Sequence, residues 1–173
     1  LRDNRIEAAG SAGIYIAAVD GFVVAGNRVS GTLADGIHMT GGATHGWVVG
    51  NRVQGVGDDG ISVVSYQGDR LGPVNQVVVQ DNDVADLRWA RGLSVVGGED
   101  NTMRGNRVHG LTRAAAVLVA REDGWHTAGV RRVRVEDNHL GDVQQRAVVT
   151  GHAAIEVHAL GSEGAVQDVL VRG

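Results

Sequence analysis

The chain has 173 residues, 27 of them glycine, with one proline and no cysteine. Its sixteen basic residues, all arginine, are scattered among twenty acidic ones, and the formal net charge of −4 argues against a nucleic-acid groove. No stretch is apolar enough to span a membrane, and the absence of cysteine leaves the redox compartment open.

Taken in chain order, one short phrase keeps returning: Asp3-Asn4-Arg5-Ile6, Gly26-Asn27-Arg28-Val29, Gly50-Asn51-Arg52-Val53, Asp81-Asn82-Asp83-Val84, Gly105-Asn106-Arg107-Val108 and Asp137-Asn138-His139-Leu140. The asparagines are 23, 24, 31, 24 and 32 residues apart, a basal period with two insertions. Such a period marks a solenoid whose coils stack in register. Three short strands are predicted per coil. One precedes the asparagine (Phe22-Val23-Val24, Trp47-Val48-Val49, Val77-Val78-Val79, Thr102-Met103, Val133-Arg134-Val135). One follows it, with an inward column Ile6, Val29, Val53, Val84, Val108 and Leu140. The third begins nine or ten residues later, at Gly13-Ile14-Tyr15-Ile16, Gly36-Ile37-His38-Met39, Gly60-Ile61-Ser62-Val63 and Gly92-Leu93-Ser94-Val95, with Ala116-Val117-Leu118-Val119 and Ala147-Val148-Val149 as weaker continuations.

Alternation turns Ile, Leu and Val of the third strand inward and Tyr15, His38, Ser62, Ser94 and Leu118 outward. Three short strands per coil over 173 residues gives an all-β, right-handed parallel β-helix of about six to seven coils, a single domain spanning 1–173. Neither end carries an atypical capping repeat, so a segment of a longer protein is expected. The repeated asparagine is expected to be structural: it tolerates the left-handed bend and its amide can hydrogen-bond along the stack. The arginine after it is expected to form a solvated stripe.

The turn before the third strand carries Ser11-Ala12, Ala34-Asp35, Asp58-Asp59, Ala90-Arg91, Arg113-Ala114 and Gln145-Arg146 in successive coils. Three carboxylates thus fall in two adjacent coils. Charges one strand spacing apart oppose each other's ionisation, so one proton is held above its ordinary pKa. A protonated acid beside an ionised carboxylate is the equipment of general acid–base glycoside hydrolysis. Arg91 would stabilise the ionised partner or bind substrate, and His38 projects from the same sheet. Asp-Gly is also a common turn sequence, so each aspartate taken alone has a structural reading.

Ala34-Asp35-Gly36-Ile37-His38 followed by Gly57-Asp58-Asp59-Gly60-Ile61-Ser62 resembles the paired motifs of β-helical glycoside hydrolases, above all bacterial α-1,3-glucanases and mycodextranases, and more distantly polygalacturonases. The resemblance covers roughly residues 22–120. It implies inverting, endo-acting hydrolysis of a polysaccharide by three aspartates, with Asp58 as general acid and Asp35 and Asp59 activating water, no cofactor, and an extracellular or periplasmic location. Arg91 stands where polygalacturonases have a histidine, and their Arg-Ile-Lys motif is missing near Ala116-Val117-Leu118, which argues against a galacturonan.

Two insertions follow the third strand, Tyr66–Pro73 and Arg121–Thr127, where added loops build a binding face. His38, Ser62, Trp89, Arg91, Ser94, Tyr66 and Trp125 are therefore expected to bind substrate, whereas Trp47 lies far from the cleft. Two alternatives stay open: a lyase or epimerase in which the carboxylates hold Ca²⁺, and a non-catalytic scaffold, adhesin or carbohydrate-binding segment.

Overall fold

The computed structural model describes residues 1–145, 153–161 and 165–173. Six coils each contribute one strand to each of three parallel sheets. The sheet after the asparagines holds Arg5–Glu7, Arg28–Ser30, Arg52–Gln54, Asp83–Ala85, Arg107–Leu111 and His139–Val143. The second, which carries the site, holds Ile14–Ala17, Ile37–Thr40, Ile61–Val64, Leu93–Val96, Val117–Glu122 and Ile155–Leu160. The third holds Asp20–Ala25, Thr44–Val49, Asn75–Gln80, Thr102–Arg104, Val130–Glu136 and Val166–Arg172, with a two-residue strand Gly98–Glu99 beside it. The architecture is a parallel β-helix, as the period implies.

Each coil places its apolar residues directly above the last. Ile14, Ile37, Ile61, Leu93, Val117 and Ile155 form one register column, and Ile6, Val29, Val53, Val84, Val108 and Leu140 another. Together with Val24, Val48, Val79, Met103 and Val135 from the third sheet they fill the interior. At about 25 cal/mol per Å² of apolar surface, this continuous burial is the main stabilising contribution of the stack.

The asparagines form an unbroken ladder. The side-chain N–H of Asn4, Asn27, Asn51, Asn82 and Asn106 each donates to Oδ1 of the next asparagine at 2.8 to 2.9 Å, and their backbone N–H groups donate to the same oxygens. The left-handed bend, however, belongs to the residue before: Asp3, Gly26, Gly50, Asp81, Gly105 and Asp137 all have φ between 52° and 64°. The asparagine satisfies the buried backbone groups that this bend leaves open. Arg5, Arg28, Arg52 and Arg107 form the exposed stripe beside it.

The last coil departs from expectation. Ala147-Val148-Val149 lies outside the described residues, and the strand paired with Val117–Glu122 is Ile155–Leu160, with Ile155 opposite Val117. The fifth turn is also shifted by one residue. Gly92 N–H donates to the Ala115 carbonyl, so Ala114-Ala115, not Arg113-Ala114, occupies the turn column.

Candidate active site

The turn column is built by the same backbone bond in each coil. Gly13, Gly36 and Gly60 donate their N–H to the carbonyls of Asp35, Asp59 and Arg91, at 2.9 to 3.0 Å. Asp35, Asp59 and Arg91 are therefore stacked at about 4.8 Å intervals. The glycine after each aspartate is required by close approach rather than by the turn. A Cβ on Gly36 would run into Val53 Cγ1 and 2.5 Å from the Gly60 carbonyl; one on Gly60 would meet Val84 Cγ1 and the Gly92 carbonyl. The Asp-Gly phrase thus sets the aspartate at the rim while its glycine lets the chain dive over the valine column.

Two of the three aspartates are fixed by hydrogen bonds running up the stack. Asp35 Oδ1 accepts the Asp59 N–H at 3.2 Å, and its Oδ2 lies 2.5 Å from both Ser62 Oγ and His38 Nδ1. One coil on, Asp59 Oδ1 accepts the Arg91 N–H at 2.9 Å and its Oδ2 accepts the Ser94 hydroxyl at 2.6 Å. The Arg91 guanidinium closes the series, with Nε 3.1 Å from Asp59 Oδ1, an ion pair without hydrogen-bond alignment, and Nη2 3.6 Å from Glu122 Oε2. Asp58 differs from both. It is exposed, in a column whose neighbours Ala34 and Ala90 are small enough to leave space around its carboxyl.

Electrostatics separates the three further. Burial raises the Asp59 carboxyl from 3.8 to about 6, repulsion from Asp35 and Asp58 adding to it, while Arg91 and the Ser94 hydroxyl pull the other way. Asp58 also lies above its ordinary value, through partial burial first and the Asp35 charge second. For Arg91 burial opposes the charge, but Asp59, Glu122, Asp58 and Asp35 more than offset it and raise its pKa.

A cleft of about 340 Å³ opens over these groups, lined by Asp35, His38, Asp58, Asp59, Arg91, Tyr66 and Trp125 among the residues singled out by sequence. The two insertions meet above it. Tyr66 and Thr127 form an antiparallel bridge, and the Gln67 N–H donates to the His126 carbonyl at 2.8 Å. The loop beginning at Glu122 closes on itself through a 3-10 turn at Asp123–Trp125, with the Glu122 N–H donating to Thr127 Oγ1 at 2.8 Å. It presents Trp125 with 71% of its surface exposed.

Three expected substrate contacts are placed elsewhere. Ser62 and Ser94 do face out of the solenoid, but they are fully buried beneath the cleft, their hydroxyls engaged by Asp35 and Asp59, so they are supports. Trp89 lies outside the cleft. Its ring carries the Arg113 guanidinium at 4.4 Å and sits beside Leu111 and Thr112, over the connection between the first two sheets. Conversely, Tyr15 and Glu122 line the cleft without having been singled out. Tyr15 is stacked on His38 with ring centroids 5.4 Å apart. Glu122 follows Leu118 and Ala120 on the outward face, so extending the strand by period-2 alternation was the signal that could have found it. The convergent carboxylate set that calcium would need is not formed: among the described residues no three His, Cys, Asp or Glu side chains gather as a metal site.

Three register-locked parallel sheets and a rim of stacked carboxylates define the chain as a parallel β-helix with an acidic cleft on one sheet. It belongs to the right-handed β-helix family, whose model, described as the right handed beta helix region, matches residues 1–159. No curated protein matches it in sequence. Among solved structures, the Agl-KA catalytic domain is similar with a TM-score of 0.75 at 16% identity, over 92% of this chain and 30% of that one. The A-module of the Azotobacter vinelandii mannuronan C-5 epimerase AlgE4 gives 0.68 at 16%, over 99% and 53%. The catalytic unit of a GH87 α-1,3-glucanase from Streptomyces thermodiastaticus strain HF3-3 gives 0.67 at 20%, over 93% and 36%. The chain therefore spans between about a third and a half of these neighbours, and at such identities the likeness is one of fold.

Proposed function

We propose that this chain is the site-bearing segment of a secreted carbohydrate-active enzyme, an endo-acting glycoside hydrolase that cleaves a polysaccharide, α-glucan-like, with inversion. The observation that carries this reading is the contrast within the aspartate cluster. Asp58 is exposed, lines the cleft and among the described residues its carboxyl has no hydrogen bond from another coil, whereas Asp35 and Asp59 are held by donors from the next coil. Protonated Asp58 gives its proton to the glycosidic oxygen as the anomeric carbon–oxygen bond breaks. Asp35 and Asp59 position a water and take its proton as its oxygen bonds to that carbon from the opposite face. Arg91 favours ionisation of Asp59 against the burial that raises its pKa, and Tyr66 and Trp125 offer rings for sugar faces. A glucanase and an epimerase among the structural neighbours support glycans as the substrate class.

The test is reducing-sugar release from a panel of α-glucans and uronans, comparing the chain with Asp58→Asn. Loss of about 10²- to 10⁴-fold, the usual contribution of a general acid, supports the mechanism. Release accompanied by absorbance from an unsaturated sugar would replace it with a lyase. A second reading is favoured by one observation: the bonds from Asp35 and Asp59 to neighbouring coils are also what a scaffold needs to lock its turns. Oligosaccharide binding without release from either protein would select that carbohydrate-binding scaffold.

A further inference from the structure

We propose that Glu122 sets the charge specificity of the cleft, facing the Nη2 of Arg91 that a sugar carboxylate would need for two-pronged binding and so admitting neutral glycans while rejecting uronates. This rests on the glycan-cleft reading above. Among the described residues lining the cleft, Arg91 is the sole arginine, against the carboxylates of Asp35, Asp58, Asp59 and Glu122, with His38 the other basic side chain. A carboxylate ligand is best held by two parallel N–H groups of a guanidinium. Here the Nε and Nη2 groups of Arg91, which share one edge of the guanidinium, face Asp59 at 3.1 Å and Glu122 at 3.6 Å respectively. His38 is likewise committed, its Nδ1 2.5 Å from Asp35 Oδ2. An incoming uronate would have to displace Glu122 and then sit among like charges, a repulsive arrangement that discriminates more sharply than added attraction.

Glu122 is built for this place. It ends the Val117–Glu122 strand, and its backbone N–H is tied to Thr127 Oγ1, independently of its side chain. The carboxylate is partly buried, 20% exposed against 24% for Arg91, so solvent screens the pair less than it would a surface pair. The carboxylate makes no hydrogen bond to the loop among the contacts described, which leaves Glu122→Gln the same shape and the same backbone anchor.

The experiment is calorimetric binding of an α-1,3-linked glucose oligomer and a galacturonate oligomer of equal length. It uses the native chain, Glu122→Gln, and the double variant Glu122→Gln/Arg91→Gln. The native chain should prefer the glucose oligomer. Glu122→Gln should raise the galacturonate-to-glucose affinity ratio by about tenfold, one decade of affinity being the scale of a single freed charge pair. That gain should shrink with added salt and vanish in the double variant, behaviour a purely structural role would not produce. An unchanged ratio in Glu122→Gln, or a native chain that already prefers galacturonate, overturns the role of Glu122 while the glycan cleft stands. Absence of binding to either oligomer by all three proteins overturns both.

Discussion

The Asp35 carboxylate accepts the backbone N–H of Asp59, one coil further along, at 3.2 Å, and Asp59 does the same for Arg91 at 2.9 Å. Each acidic side chain thereby fixes the backbone from which the next functional group projects. Position along the rim is transmitted from coil to coil by side chains as well as by the strand ladder.

Asp59 should make stability fall as the solution becomes less acidic. Its folded pKa of about 6 exceeds the ordinary 3.8, so the folded chain holds a proton that the unfolded chain releases between those values. The stabilisation is fully present below 3.8 and is lost as pH climbs through about 6. Asp59→Asn should flatten that part of the profile, as measured by urea midpoints from pH 4 to pH 7. A slope unchanged in the variant would assign the dependence to another group.

The ladder should fail at its middle. Asn82 is buried and joins Asn51, Asn106 and the Val48 carbonyl. Asn82→Ala leaves several of those groups without partners, at about 1–3 kcal/mol for each one stranded. Chemical denaturation should register a loss of at least that size. The exposed neighbour Arg52→Ala should change little, as surface ion pairs contribute about 0–1 kcal/mol.

Gly36→Ala should destabilise by about 1–3 kcal/mol, the usual cost of overpacking, because the added methyl meets Val53 and backbone that cannot yield. Gly10→Ala, where nothing lies within 4 Å, should be close to neutral. Thermal midpoints of the pair separate close approach from a general need for glycine flexibility.

The two exposed tryptophans should behave differently. Trp125→Ala should weaken oligosaccharide binding by about fivefold, in line with about 1 kcal/mol for an aromatic contact. Trp89→Ala should leave it unaltered, since its ring lies under Arg113 in a separate groove. Equal effects on titration would return Trp89 to the binding surface.

The solenoid was legible because its register repeats: each asparagine, valine and Asp-Gly pair restates the same local problem of bend, core and close approach. Legibility failed where the marker residue changed. Ala116 stands where the earlier coils carry Gly13, Gly36, Gly60 and Gly92, and without that glycine the fifth turn was aligned one residue early. In the sixth coil the long spacing to Ile155 removed the nine-to-ten-residue rule altogether. Asp35, Asp58 and Asp59 could be set side by side from spacing, but their differing surroundings could not. Ser62 and Ser94 read as outward-facing, and the Asp35, His38 and Asp59 side chains that engage their hydroxyls mark them as buried supports. Alternation can place Glu122 and Tyr15 on the outward face, but that one cleft reaches both depends on how the coils and loops meet around it, which a period cannot announce.

The tie between the two insertions has a mechanical consequence. A linear stack exchanges force only between adjacent coils, so it can peel from either end one layer at a time. Here the Ala128 N–H reaches the Ser65 carbonyl at 2.8 Å, and Gln67 reaches His126, joining the third coil to the fifth over the head of the fourth. The fourth makes way with Gly97, whose φ of 83° and tight approach to Ser65 and Ala128 leave no room for a side chain. Under load these three layers should detach as one block, so the stretch bearing Asp58, Asp59, Arg91 and Glu122 would be the last to fray.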